Sequence, residues 1–119
     1  MSPVLNDEEY VFCSFEQAHY GDFSELEPIA TFLENEGLTL VIPKSTADLN
    51  ALSYESVFKS ITLKVHSSLE AVGLTAAFSG KLTEHNISAN VIAGYYHDHV
   101  FVQASKAELA LAALEELSL

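Results

Sequence analysis

The chain has 119 residues, 17 of them acidic and 5 basic, for a formal net charge of −12. So few Lys and Arg leave little to face phosphates, which excludes nucleic acid and anionic membrane surfaces as partners. Apolar residues make up 49% of the sequence, so the expectation is a folded domain, or two small halves sharing a core, and not a disordered chain.

From the N-terminus, residues 1–9 lack the basic and apolar regions of a signal peptide, and no run of 18 apolar residues follows anywhere; a cytoplasmic protein is expected. Tyr10–Phe15 reads as a strand. Its Cys13 is the only cysteine, and on an apolar β run it is expected to pack rather than react. A chain without paired cysteines fits a reducing compartment. Ser24-Glu-Leu-Glu27 then has the spacing of a capping box, and Leu26, Ile29, Ala30 and Leu33 follow at helical period. A helix is predicted there, with Pro28 in its first turn and Gly37 as its stop. Leu38–Ile42 is the next strand, and a short helical turn over Ser45–Leu52 is expected to link the halves.

In Ser60–Val65, Ile61, Leu63 and Val65 alternate with Thr62 and Lys64, the pattern of a half-buried strand. Ser67-Ser-Leu-Glu70 repeats the capping-box spacing ahead of Leu74, Ala77, Phe78 and Leu82, with Asn86 as a stop. Ile87–Ile92 and Val100–Gln103 are predicted to pair as a hairpin across the polar turn Gly94–Asp98. A third box, Ser105-Lys-Ala-Glu108, precedes the stripe Ala107, Ala110, Leu111, Leu114 and Leu117. The order is β-α-β and then β-α-β-β-α. The last five elements form a ferredoxin-like unit without its final strand. The expected fold is therefore α+β: an antiparallel sheet with helices on one face, built from a β-α-β half over residues 1–53 packed with a βαββα half over residues 54–119, the first half supplying the absent strand or the two halves completing each other.

Catalytic constellations are weak. Of the five histidines, His97 and His99 flank Asp98 in a pattern that could share a metal, but no third or fourth ligand stands at a recognisable spacing. No nucleophile elbow, phosphate-binding glycine loop or paired-histidine zinc helix is present. No enzyme activity, metal or cofactor is expected. The informative segment is His66-Ser-Ser-Leu-Glu-Ala-Val-Gly-Leu-Thr75, which joins a strand to a helix. A helix start offers free backbone N–H groups and positive dipole charge, a receptor for a carboxylate that needs no basic side chain. Gly73 would let a ligand approach the backbone, or would simply ease the turn. Asn90, read as lying mid-strand, could hold an amino group, or could simply face solvent.

The run Gly73-Leu-Thr-Ala-Ala-Phe-Ser-Gly-Lys-Leu-Thr-Glu-His-Asn-Ile-Ser-Ala-Asn-Val-Ile92, followed by Val100-Phe-Val102, resembles an ACT domain. The likeness is nearest to the aspartate-kinase-type subgroup and to small stand-alone bacterial ACT proteins, which are also similar to arginine sensors. Glu36-Gly-Leu-Thr-Leu-Val-Ile42, Val65–Thr75 and Val91-Ile-Ala-Gly-Tyr-Tyr-His-Asp-His99 look like segments of that group. The resemblance implies a ferredoxin-like module that pairs with another and binds an amino acid at the ACT–ACT interface, without catalysis. It places the ligand on the loop between first strand and first helix, at Ser67, Ser68, Leu69, Glu70, Val72, Gly73 and Leu74, and on the second strand at Ala89, Asn90 and Val91. The implied partners are a small-molecule amino acid and a second copy of the chain. The alternative expectation is a dimeric ACT-like interaction module that has lost its ligand and docks a protein through its acidic face.

Overall fold

The structure, a computed structural model, describes residues 2–64, 69 and 72–117. Its regular elements are strands β1 (Pro3–Phe15), β2 (Ala30–Glu34), β3 (Gly37–Pro43), β4 (Phe58–Leu63), β5 (Asn90–Ala93) and β6 (Asp98–Gln103), and helices α1 (Lys44–Leu49), α2 (Leu74–Glu84) and α3 (Ala107–Glu115). They divide into two compact units, Met1–Asp7 with Phe58–Leu119, and Glu8–Val57. Strand β1 belongs to both. Its first residues lie in the former unit and the remainder in the latter.

In the first unit the strand order is β1-β4-β6-β5. Strands β4 and β6 are antiparallel with Ile61 opposite Val100 and Leu63 opposite Asp98, and β5 continues the sheet with Val91 opposite Val100. Side chains alternate across a strand, so Ile61, Leu63, Val100 and Val102 share one face. Both helices cover that face. Phe78 and Leu82 of α2 and Ala107, Ala110 and Leu114 of α3 complete the cluster. Burying side chains the size of Phe78 or Leu82 contributes about 1.5–3 kcal/mol each. Leu5 of β1 packs against the same cluster. On the opposite face Asn6 Nδ2 donates to the Ser60 carbonyl at 3.2 Å, to Ser60 Oγ at 2.8 Å and to Thr62 Oγ1 at 3.2 Å. The start of β1 thus stands beside β4, where a ferredoxin-like unit carries its final strand. The N-terminal segment supplies the strand that the βαββα pattern lacks.

In the second unit the order is β2-β3-β1. The register sets Val11 opposite Ile42, Cys13 opposite Leu40 and Phe15 opposite Leu38, which puts these side chains on one face. Ala18, Leu26 and Ala47 join that core, with Phe23, Leu52, Tyr54 and Val57 packed at its margin. The short helix over Ser45–Leu52 is found, as α1, and is held by Lys44 Nζ donating to Asp48 Oδ2 and the Tyr54 hydroxyl to Asp48 Oδ1, both at 2.8 Å.

The helix predicted after Ser24 does not form. Ser24–Leu26 is a single 3-10 turn, and Ala30–Glu34 is strand β2, joined to β3 by the two-residue turn at Asn35 and Glu36. Pro28 is the cause nearest to hand. It would sit where the first intrahelical N–H is required, and it biases Glu27 away from helical angles. Glu27 instead adopts φ 55°. Gly37 is the first residue of β3 rather than a helix stop; a Cβ there would lie 2.9 Å from the Phe15 carbonyl oxygen. The N-terminal half is consequently β-β-β-α, not β-α-β.

Helix starts also shift. No serine side chain caps the 3-10 turn at Ser24 or helix α3; a second 3-10 turn, Ala104–Lys106, precedes α3. The capping box at residues 67–70 falls largely outside the described residues, and α2 starts after it, at Leu74. Strand β5 begins at Asn90, not Ile87, whose N–H donates to the Leu82 carbonyl of the helix end at 3.0 Å and not to a neighbouring strand.

Candidate functional site

Helix α2 begins on Gly73, which holds φ 95° and ψ −21° and offers no side-chain cap. A left-handed residue at this point turns the chain sharply from the preceding loop into the helix. The first intrahelical bond runs from Ala77 N–H to the Gly73 carbonyl at 3.0 Å. The amides of Leu74, Thr75 and Ala76 therefore precede the bonded ladder, as at any helix start. No acidic side chain occupies the first turn of α2, so its positive end is not neutralised from within the helix. A Cβ added at Gly73 would meet nothing within 4 Å. The backbone here is open.

The ten positions expected to hold a ligand fall into four groups. Ser67, Ser68 and Glu70 lie outside the described residues. Leu69 is 69% exposed and Val72 96% exposed, beside the open Gly73. Leu74, Ala89 and Val91 are partly buried against the helical-face core. Asn90 is the first residue of β5, opposite Phe101, and its Nδ2 donates to the Phe101 carbonyl at 3.2 Å. Asn90 is on the sheet face that the helices do not cover, because Val91 is on the covered one. Its row is three residue pairs from the row of Ala93 and Asp98, at whose end β4 leaves for α2; that is about 10 Å along a strand. One chain does not bring the Asn90 side chain to the start of α2.

The β5–β6 hairpin closes at the same end of the sheet. Its turn is tied by Gly94 N–H donating to the His97 carbonyl at 2.9 Å. Tyr95 and Tyr96 project from it, 80% and 76% exposed, in an edge-to-face pair with centroids 5.1 Å apart. His97 and His99 stand in different surroundings. His97 is in the turn with its Nδ1 buried, whereas His99 is in β6 with its Nδ1 3.3 Å from Thr62 Oγ1. Burial pushes the His99 imidazole pKa down, the neighbouring charge of His97 pushes it further, and Asp98 opposes both. Among the described residues no group of three or more His, Cys, Asp or Glu side chains is placed to hold a metal ion. Cys13 is buried with Sγ 3.8 Å from the Ser53 carbonyl, and burial raises its thiol pKa, the setting of a packing residue. Among the described residues no helix is long and apolar enough to cross a membrane.

Two ACT-domain family models match the chain, one over residues 1–59 and the other over residues 55–116. A Vibrio cholerae protein of unknown function, described as a possible transport protein, is 58% identical over 99% of this chain and 89% of its own, with a TM-score of 0.92. Aspartokinase α and β subunits match at 12% identity over 98% of this chain and 96% of theirs, with a TM-score of 0.70. The ligand-free regulatory subunit of aspartate kinase from Thermus thermophilus matches at 12% identity over 98% of this chain and 97% of its own, with a TM-score of 0.64. At such low identity the two kinase structures are evidence of shared fold alone. No curated protein matches the chain. The tandem ferredoxin-like pattern and the paired family matches, which together span residues 1–116, agree: the chain belongs to the ACT domain family.

Proposed function

We propose that this protein is a non-catalytic, cytoplasmic sensor that binds a free amino acid and works as a pair of chains. ACT domains carry regulatory, small-molecule-binding roles, and they often dimerise. The observation that carries the reading is the start of α2 on Gly73, uncapped by any side chain, free of acidic residues in its first turn and open above the glycine. A ligand carboxylate accepts from the amides at the helix start, where the dipole contributes up to about 2 kcal/mol in a partly buried site. The ammonium goes to Asn90 Oδ1 and neighbouring carbonyls, since Asn90 Nδ2 is already engaged by Phe101. Because Asn90 and the α2 start are apart within one chain, a second copy must supply one of them. Strand β5 is the outer strand of its unit, which leaves its edge open to such a neighbour.

The test is calorimetric titration of the twenty amino acids into the wild-type protein and Asn90→Ala. One amino acid should bind more tightly than millimolar, and Asn90→Ala should abolish that heat. Absence of any binding in that range removes the ligand from the reading. The rival, an interaction module docking through its acids, predicts that Asn90→Ala leaves partner capture intact and that no amino acid binds. Its support is the uneven charge, eleven acids and two lysines in residues 1–60 against six and three in residues 61–119.

A further inference from the structure

At the opposite end of α2 lies a cleft of about 320 Å³, lined by Thr83, Asn86, Ile87, Ser88, Gln103 and Lys106. Ile87 is its buried wall. Asn86 adopts φ 57° after the helix, and its carbonyl accepts from Lys106 Nζ at 2.8 Å. That carbonyl is neutral. Lys44 and Lys81 are paired with carboxylates, whereas Lys106 makes no ion pair among the described residues. An ammonium with one N–H taken keeps two to donate. The Gln103 side chain is oriented by its Oε1, which accepts from Ser88 N–H at 3.3 Å, and its Nε2 is left as a donor. The Ser88 hydroxyl and the Asn86 side-chain amide have no protein partner among the described residues. Lys106 is the one cation among the residues that line the cleft, and it faces no carboxylate among the described residues.

We propose that the cleft binds a small carboxylate, one oxygen on the Lys106 ammonium and the other on Gln103 Nε2 or the Ser88 hydroxyl. One fixed positive charge flanked by neutral donors matches a single negative charge shared by two oxygens. A phosphate dianion carries more charge than this set balances. The site is separate from the start of α2 and stands or falls independently of it.

The test is a series of 1H–15N spectra of the intact protein, titrated with acetate, succinate and inorganic phosphate. The carboxylates should move the backbone amides of Asn86, Ser88 and Gln103 saturably in the millimolar range, and phosphate should do so more weakly. Lys106→Met, which keeps the alkyl stem, should weaken carboxylate binding by at least about tenfold, the scale of one charge-assisted hydrogen bond. Ser88→Glu should abolish binding by placing a carboxylate in the cleft while leaving the Lys106 contact with Asn86, and it decides the matter if Lys106→Met does not fold. Shifts spread over the whole protein, binding unchanged in Ser88→Glu, or phosphate binding tighter than both carboxylates would each overturn the proposal.

Discussion

Cys13 illustrates how a single side chain is governed by its face of the sheet. It lies on the core side of β1 opposite Leu40, 8% exposed, and burial holds its thiol in the protonated form. A thiol reagent should therefore leave the native protein unmodified and label it only on unfolding in urea; rapid labelling of the native form would contradict that placement. His99 offers a second residue-level test. Its pKa in the folded protein is depressed below the ordinary 6.5, chiefly by burial. In acid the unfolded chain then binds more protons than the folded one, so the stability contribution is full above pH ~6.5 and is lost as pH falls through the folded value. The urea midpoint should drop as pH is lowered through that window, and His99→Gln should flatten part of the slope. An NMR titration midpoint for His99 at or above the ordinary value would refute this. Two glycines separate steric from conformational demand. Gly37→Ala forces a Cβ against the Phe15 carbonyl and should cost about 1–3 kcal/mol, whereas Gly73→Ala meets no atom and should cost about 1 kcal/mol through its positive φ alone.

Among the elements, β1 carries the greatest burden, because its residues are divided between both units. Asn6 is its anchor in the first unit, with a single amide group serving Ser60 and Thr62. Asn6→Ala should cost about 1–3 kcal/mol by leaving partly buried partners unsatisfied. Amide exchange over residues 3–7 should quicken while that of Tyr10–Phe15, paired with β3, changes little. Uniform acceleration along the whole strand would show that β1 behaves as one unit. The elements also differ in how far the sequence revealed them. Strands β3, β4 and β6 and helices α2 and α3 were legible because their apolar periodicity matched what is buried: Ile61 and Leu63 inward at period two, Phe78 and Leu82 at period four. The segment from Ser24 to Leu33 misled because Leu26, Ile29, Ala30 and Leu33 mimic a helical stripe, yet Ile29 and Leu33 are 51% and 42% exposed. Its strand character depends on pairing with β3, a contact that local pattern does not encode. Edge strand β2 is partly shielded by the Tyr20 hydroxyl, which accepts from Leu33 N–H at 3.1 Å, another long-range feature invisible in the local sequence.

For the molecule as a whole, the tandem ACT pattern was legible in its C-terminal part and less so in its N-terminal part. In the second unit a 3-10 turn and loop stand where a ferredoxin-like unit has its first helix. At the candidate site the sequence set the start of α2 at the Ser67–Glu70 box, whereas the helix begins after Gly73, and it placed Asn90 mid-strand, whereas Asn90 opens β5 on the face away from the helices. The proposed function joins these two places only through a second copy of the chain, so ligand binding and pairing should be linked. Ligand that binds only the paired form stabilises it by mass action. In sedimentation velocity, the bound amino acid should shift the population toward dimer, and Asn90→Ala should not respond.

The sharpest test is a 1H–15N titration with the amino acid selected by calorimetry, followed at Gly73, Leu74, Thr75 and Ala76. Saturable shifts concentrated on those amides, at the same midpoint as the calorimetric heat, are predicted by a zwitterion held at the start of α2. Amides there that stay unmoved while ligand saturates would place the binding elsewhere and contradict the account.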